Sequence, residues 1–148
     1  MYNKILVATD GSELAQSAVE HGAALARAVG ASVLFVTVTE TWSAFQIASG
    51  IETGQVDAVR EFEEAAKTSA QNILNAAKEV AVKLGVQAET HHILDRPAAE
   101  GIIQAAELED CDLIVMASHG RRGLGRVMLG SETAEVLATS KTPVLVLR

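Results

Sequence analysis

Short apolar runs alternate along the chain with longer stretches of helical period, a succession that predicts strands and helices in turn. Lys4–Ala8 (KILVA) is an apolar run closed by Thr9, Asp10 and Gly11, which predicts a buried strand ending in a turn. Ser12 stands ready to cap the next segment, where Leu14, Ala18, Leu25 and Val29 are four or seven residues apart and Gly30 supplies a stop; this predicts an amphipathic helix. Residues 32–38 form a second apolar run. No period holds over residues 39–54, although Trp42, Phe45 and Ile47 are apolar, so a loop seeking a surface to pack on is expected there. From Val59 through Phe62, Ala66, Ile73, Ala77, Val80 and Leu84 the spacing is helical, the face is rich in alanine, and Gly85 ends the run. Residues 86–94 predict a third strand, and Arg96 and Pro97 open a helix that runs to about residue 109. Leu113–Ala117 predicts a fourth strand, residues 131–140 a short helix, and Val144–Leu147, after Pro143, a last strand.

Strands that alternate with helices are joined by right-handed crossovers, so the expected fold is α/β: a three-layer doubly wound sandwich around a five-stranded parallel sheet. Ligands of such sheets sit beyond the carboxyl ends of the strands, where the winding reverses. The segments to search are therefore residues 9–12, 38–40, 94–96 and 118–131.

Composition narrows the classes. A chain of 148 residues fits one domain, and 49% hydrophobic with 3% aromatic residues provides a core built from Ala, Val, Leu and Ile, which excludes disorder as the dominant state. The apolar runs are far shorter than the roughly 20 residues that span a bilayer, and residues 1–5 lack a secretory pattern, so no membrane association and a cytoplasmic location are expected. Cys111 is the only cysteine, which excludes an intramolecular disulfide and a multi-cysteine zinc site. With 19 acidic against 12 basic side chains the net charge is −7, and without a basic stripe or stacking platform nucleic acid is not an expected partner.

One segment of this acidic chain is basic and glycine-rich: Gly120, Gly123, Gly125 and Gly130 are interleaved with Arg121, Arg122 and Arg126, next to His119. Glycines admit close approach of backbone amides to a ligand, and Ser131 heads a helix whose N-terminus favours an anion. Taken alone, these residues fit either a phosphate cradle or a surface turn with solvated arginines. Gly125 to Ser131 reads GRVMLGS and lacks the lysine of a P-loop. The dinucleotide fingerprint also fails, because GLGRVM places Met128 where glycine or alanine is required.

These residues do resemble a known family, the universal stress proteins, in their nucleotide-binding branch. The resemblance spans nearly the whole chain and rests on KILVATDGS, on CDLIVMASHG, and on VMLGS followed by TPVLVLR. The family's ATP signature, Gly-x2-Gly-x9-Gly-Ser/Thr, appears here as Ala117-x2-Gly120-x9-Gly130-Ser131. The resemblance implies strand order 3-2-1-4-5, with ATP or another adenine nucleotide bound with Mg2+ beside the reversal between the first and fourth strands. It implies that Gly120, Arg121, Arg122 and Gly123, with Gly130, Ser131 and Thr133, hold the phosphates; His119, inside the cradle, fits either a phosphate contact or a loop-stabilising side chain. By the same carry-over, Ala8 and Asp10 lie near the ribose and adenine and Val38 faces the adenine; Asp10 is also a candidate to orient the nucleotide-borne magnesium, or else caps and tightens the DGS turn. A homodimer paired through Val144–Leu147 is implied too, acting as a stress-response regulator with an unidentified protein partner.

Three positions depart from the family pattern: Ala117 replaces the first glycine of the signature, Glu132 a usual apolar residue, and Asp95 the glycine before Arg96 and Pro97. Glu132 favours the helix dipole but repels a triphosphate. His91 and His92 are adjacent on a strand and point to opposite faces, which disfavours a shared metal. Cys111 between Asp110 and Asp112 has no neighbouring basic activator and is expected to be inert. The residues offer no full phosphoryl-transfer set, so slow hydrolysis, or autophosphorylation on Ser118 or Ser131, bounds the expected enzymology. A nucleotide-free dimeric scaffold is the other reading left open.

Overall fold

A computed structural model of the 148-residue chain describes residues 1–40, 54, 56–120 and 128–148. The loop expected over residues 39–54, with Trp42, Phe45 and Ile47, lies almost wholly outside the described residues. The elements follow in order as β1 (Lys4–Ala8), α1 (Glu13–Val29), β2 (Ser32–Thr39), α2 (Val56–Lys83), β3 (Ala88–Leu94), α3 (Ala98–Leu108), β4 (Leu113–Ala117), α4 (Ser131–Thr139) and β5 (Val144–Leu147). All four strand pairings are parallel and the order is β3-β2-β1-β4-β5, as expected. The winding reverses between β1 and β4, which pair through Ile5 with Leu113 and Val7 with Val115.

Alternation along the strands divides the core into two layers. Ile5, Val7, Val33, Phe35, Leu113 and Val115 point to one face and pack on Ala18, Val19 and Ala26 of α1 and on Leu74, Ala77 and Ala81 of α2. Leu6, Leu34, Val36, Ile114 and Met116 point to the other, against Ala99, Ile102 and Ala106 of α3 and Val136 of α4. Burying a side chain as large as Phe35 or Ile5, both 0% exposed, contributes roughly 1.5–3 kcal/mol. No helix among the described residues is long and apolar enough to cross a membrane.

The small residues set the helix–sheet spacing, and this corrects the apolar stripe expected for α1. Its buried face is Ala15, Ala18, Val19, Gly22, Ala23 and Ala26, whereas Leu14 is half-buried and Val29 is 41% exposed. A helix that sits close to a sheet buries its alanines and glycine and leaves longer side chains at the flanks. In α2 the C-terminal half carries the packing through Ala70, Leu74, Ala77 and Ala81, while Phe62 in the N-terminal half is 42% exposed.

Helix ends show why one strand boundary shifts. Gly85, at φ 71°, donates to Val82 O and Val86 donates to Ala81 O at 2.9 Å, closing α2 with a left-handed residue and a hydrogen bond back over the last turn. Val86 is apolar because it anchors that turn in the core, so β3 starts at Ala88 and not at residue 86. The end of α3 repeats the geometry without glycine: Asp110 stands at φ 53° and Cys111 donates to Ala106 O at 2.8 Å. Left-handed backbone costs a residue with a Cβ about 1 kcal/mol or more. Asp110→Gly is expected to stabilise the protein by about 0.5–1 kcal/mol, read as a rise of about 1–4 °C in Tm by scanning calorimetry. A fall in Tm would show that the Asp110 side chain outweighs its backbone cost.

Candidate functional site

At the carboxyl end of β1 the chain turns within four residues, and hydrogen bonds hold every step. Thr9 N–H donates to Val36 O at 2.9 Å, extending the β1–β2 ladder, and the buried Thr37 Oγ1 donates to Thr9 O at 2.8 Å. Gly11 takes φ 77° and donates to Thr9 Oγ1 at 3.2 Å. Ser12 N–H donates to Asp10 Oδ1 at 2.9 Å, and Ser12 Oγ accepts from Ala15 N–H at 3.2 Å as the N-cap of α1. The Asp10 carboxylate is thereby held at the reversal of the sheet.

Across the reversal, the end of β4 is cinched to the start of α4. Ser118 N–H donates to Leu147 O and Gly130 N–H donates to Ser118 O, both at 2.7 Å, so the segment after β4 returns to the point it left. Thr133 Oγ1, buried, donates to Ala117 O at 2.9 Å and ties the first turn of α4 to the last residue of β4. A Cβ on Gly130 would lie 3.0 Å from Ser118 O and 3.3 Å from His119 Cα, which is why a glycine stands there. As the N-cap of α4, Gly130 offers no side-chain acceptor to the first-turn amides. Ser118 Oγ and His119 Nδ1 are 3.2 Å apart.

These two ends border a cleft of about 1050 Å³. Ala8 and Asp10 line it from β1 and its turn, Val38 from β2, and Ala117, His119 and Gly120 from β4 and beyond. Gly130, Ser131 and Thr133 complete the wall at α4. Arg121, Arg122 and Gly123, expected at the same site, lie outside the described residues. Val38 also packs over α3, since a Cβ on Gly101 would meet its two γ-carbons at 3.2 and 3.3 Å. The cleft extends further than the sequence reading: Pro97 and Ala98 line it at the start of α3, and Phe62, Ala66, Ser69 and Ile73 line it from α2. Of these, Phe62, Ala66 and Ile73 belong to the stripe read as helix packing, and Ser69 is not singled out in the sequence.

Four carboxylates line the cleft among the described residues, from Asp10, Glu40, Glu132 and Glu135, beside His119. No group of three or more His, Cys, Asp or Glu side chains among the described residues is placed to hold a metal ion by itself. His91 is exposed, while His92 Nε2 lies 2.8 Å from Thr39 Oγ1, so the two rings do part to different surroundings. Burial, and then the charges of Lys67 and His91, hold the His92 pKa below its ordinary value. Cys111 is 7% exposed and its thiol is pushed up to about 11, chiefly by burial, as suits an unreactive core residue. Asp95, at φ 63°, donates its N–H to Thr39 O at 3.1 Å; the positive φ explains why a glycine suits this position.

Comparison with known proteins places this geometry. The universal stress protein YxiE of Bacillus subtilis is 36% identical over 149 residues, which cover 100% of each chain. The universal stress protein MJ0577 of Methanocaldococcus jannaschii is 32% identical over 157 residues, covering 100% of this chain and 96% of that one. Its solved structure superposes with a TM-score of 0.76 at 33% identity, over 99% of this chain and 96% of the other. A universal stress protein from Archaeoglobus fulgidus, solved in complex with dAMP, shares the fold at 20% identity and a TM-score of 0.70, over 99% and 98% of the two chains. With the universal stress protein family model matching residues 1–148, on a sheet wound and reversed as the sequence resemblance implied, the chain belongs to the universal stress protein family.

Proposed function

We propose that this protein binds an adenine nucleotide, ATP with Mg2+, in the cleft at the β1–β4 reversal and acts as a cytoplasmic, homodimeric stress-response switch. The observation that carries the reading is the convergence of Ala117, Gly120, Gly130 and Ser131, the ends of the spaced signature, on one cleft with Asp10 and Val38. Solved universal stress proteins of this fold hold cAMP, dAMP and AMP, which supports an adenine nucleotide as the ligand class. The start of α4 suits phosphate, through first-turn amides and the positive end of the helix dipole. Asp10 and Val38, on the β1 and β2 side, suit the ribose and base. The nucleotide's own phosphates would carry the magnesium, with Asp10 as the protein's contribution. Pairing through β5 is supported by an edge strand that pairs only with β4 among the described residues and leaves Leu145 39% exposed.

Denaturing freshly purified protein, identifying any released nucleotide by mass, and titrating the emptied protein with ATP and magnesium tests the reading. Released or rebound adenine nucleotide supports it; absence of both up to millimolar ATP sinks it and favours the nucleotide-free scaffold. Glu132 gives a graded check, because its carboxylate lines the cleft in the first turn of α4. Glu132→Gln is expected to tighten ATP by about 3–10-fold and AMP by less, since repulsion scales with phosphate charge. Calorimetric titration of both ligands at constant ionic strength measures the difference.

A further inference from the structure

Gly120 is not a glycine for the sake of its own backbone. Among the described residues the glycines at positive φ are Gly11, Gly30, Gly54 and Gly85, so Gly120 does not stand in the left-handed backbone that glycine favours. What occupies the place of a side chain there is the Asp10 carboxylate, which a Cβ would have to displace. Among the described residues, a Cβ built on Gly120 would collide with Asp10 Oδ2, the end of that side chain, and stand 3.5 Å from Asp10 Cγ, with no other atom within 4 Å. The other carboxylate oxygen, Oδ1, accepts Ser12 N–H at 2.9 Å, so the Asp10 side chain is anchored on its own turn and extends across the reversal onto Gly120.

We infer that Gly120 is a positioning residue for the nucleotide, acting through Asp10: the missing Cβ seats the β1 carboxylate against the β4 end, and the two strands present one wall to the cleft. This rests on the nucleotide-binding reading for its functional consequence, whereas the contact lies between two of the chain's own residues. A glycine demanded by close approach of phosphate would be needed whatever stood at position 10. A glycine demanded by Asp10 is needed only while Asp10 is there.

The test is a double-mutant cycle on the full chain: wild type, Gly120→Ala, Asp10→Ser and the double variant, each read by ligand-free thermal unfolding and by titration with magnesium and ATP. Serine at position 10 keeps an oxygen for Ser12 N–H and vacates the space a Cβ at 120 requires. Gly120→Ala in the wild-type background is expected to lower the ligand-free Tm by about 3 °C or more and to weaken ATP about 10-fold or more. In the Asp10→Ser background the same substitution is expected to leave the ligand-free Tm unchanged and to cost several-fold less ATP affinity than in the wild-type background. Equal losses in both backgrounds, or no loss in the wild-type background, would overturn the inference. If wild-type protein binds no ATP the nucleotide reading fails on its own, and the Tm cycle still decides whether Gly120 and Asp10 are coupled.

Discussion

Glutamate at position 120 is expected to lower ATP affinity by at least about 100-fold, or about 2.7 kcal/mol, in a protein that remains folded. Two effects act together. The Cβ of any side chain at 120 collides with Asp10 Oδ2, so the substitution displaces the carboxylate proposed to face the ribose. The second effect is charge: a new carboxylate enters a cleft that already carries Asp10, Glu40, Glu132 and Glu135. At about 4 Å and an effective dielectric of about 20, two unit charges repel by about 4 kcal/mol, before screening by salt. A polyphosphate feels this more than a neutral ligand does, so ATP should lose more affinity than adenosine. Far-UV circular dichroism and a thermal scan establish that the variant is folded. Unchanged ATP affinity in a folded Gly120→Glu protein would place the phosphates elsewhere and remove the main support for the proposed site.

Legibility in the sequence follows how local each cause is. Strands such as Leu113–Ala117, all of whose residues are buried, could be read because a short apolar run bounded by turn residues has few other uses in so small a domain. Gly30 and Gly85 marked helix ends because both take the left-handed backbone that glycine favours. Asp110 takes the same backbone without glycine and left no such mark, whereas Asp95 was marked only by the family's glycine at its position. Val86 was indistinguishable from a strand residue, since an apolar anchor beyond a helix end and the first residue of a strand look alike in sequence. At the site, the fixed spacing from Ala117 to Ser131 was legible through the family resemblance, and its physical counterpart is that the segment's two ends return to one place, as the Gly130 N–H bond to Ser118 O shows. The contact between Asp10 and Gly120 was not, because it joins residues more than a hundred positions apart and exists only once β1 and β4 pair.

Gly22→Ala is expected to destabilise the protein, although alanine favours a helix interior over glycine by about 1 kcal/mol. Gly22 lies in the middle of α1, 17 residues long, and is buried where the helix crosses β1. A Cβ there would be 2.5 Å from Val7 Cγ2 and 3.6 Å from Val7 Cβ. Val7 cannot yield easily: it is 0% exposed, and its β-branched side chain is stiff at χ1 and packed between helix and sheet. Overpacking of this kind costs about 1–3 kcal/mol and sometimes more, so with Val7 unable to yield the net loss after the helix gain reaches about 2 kcal/mol, or up to about 8 °C in Tm. The decisive measurement is the same substitution in a Val7→Ala background. There the methyl groups that block the new Cβ are gone, and Gly22→Ala should fill part of the cavity and raise Tm. A reversal of sign, read by chemical denaturation of the four proteins, would identify close approach of α1 to β1 as the reason for the glycine. Equal costs in both backgrounds would mean that the α1 backbone at Gly22, and not the Val7 side chain, excludes the larger residue.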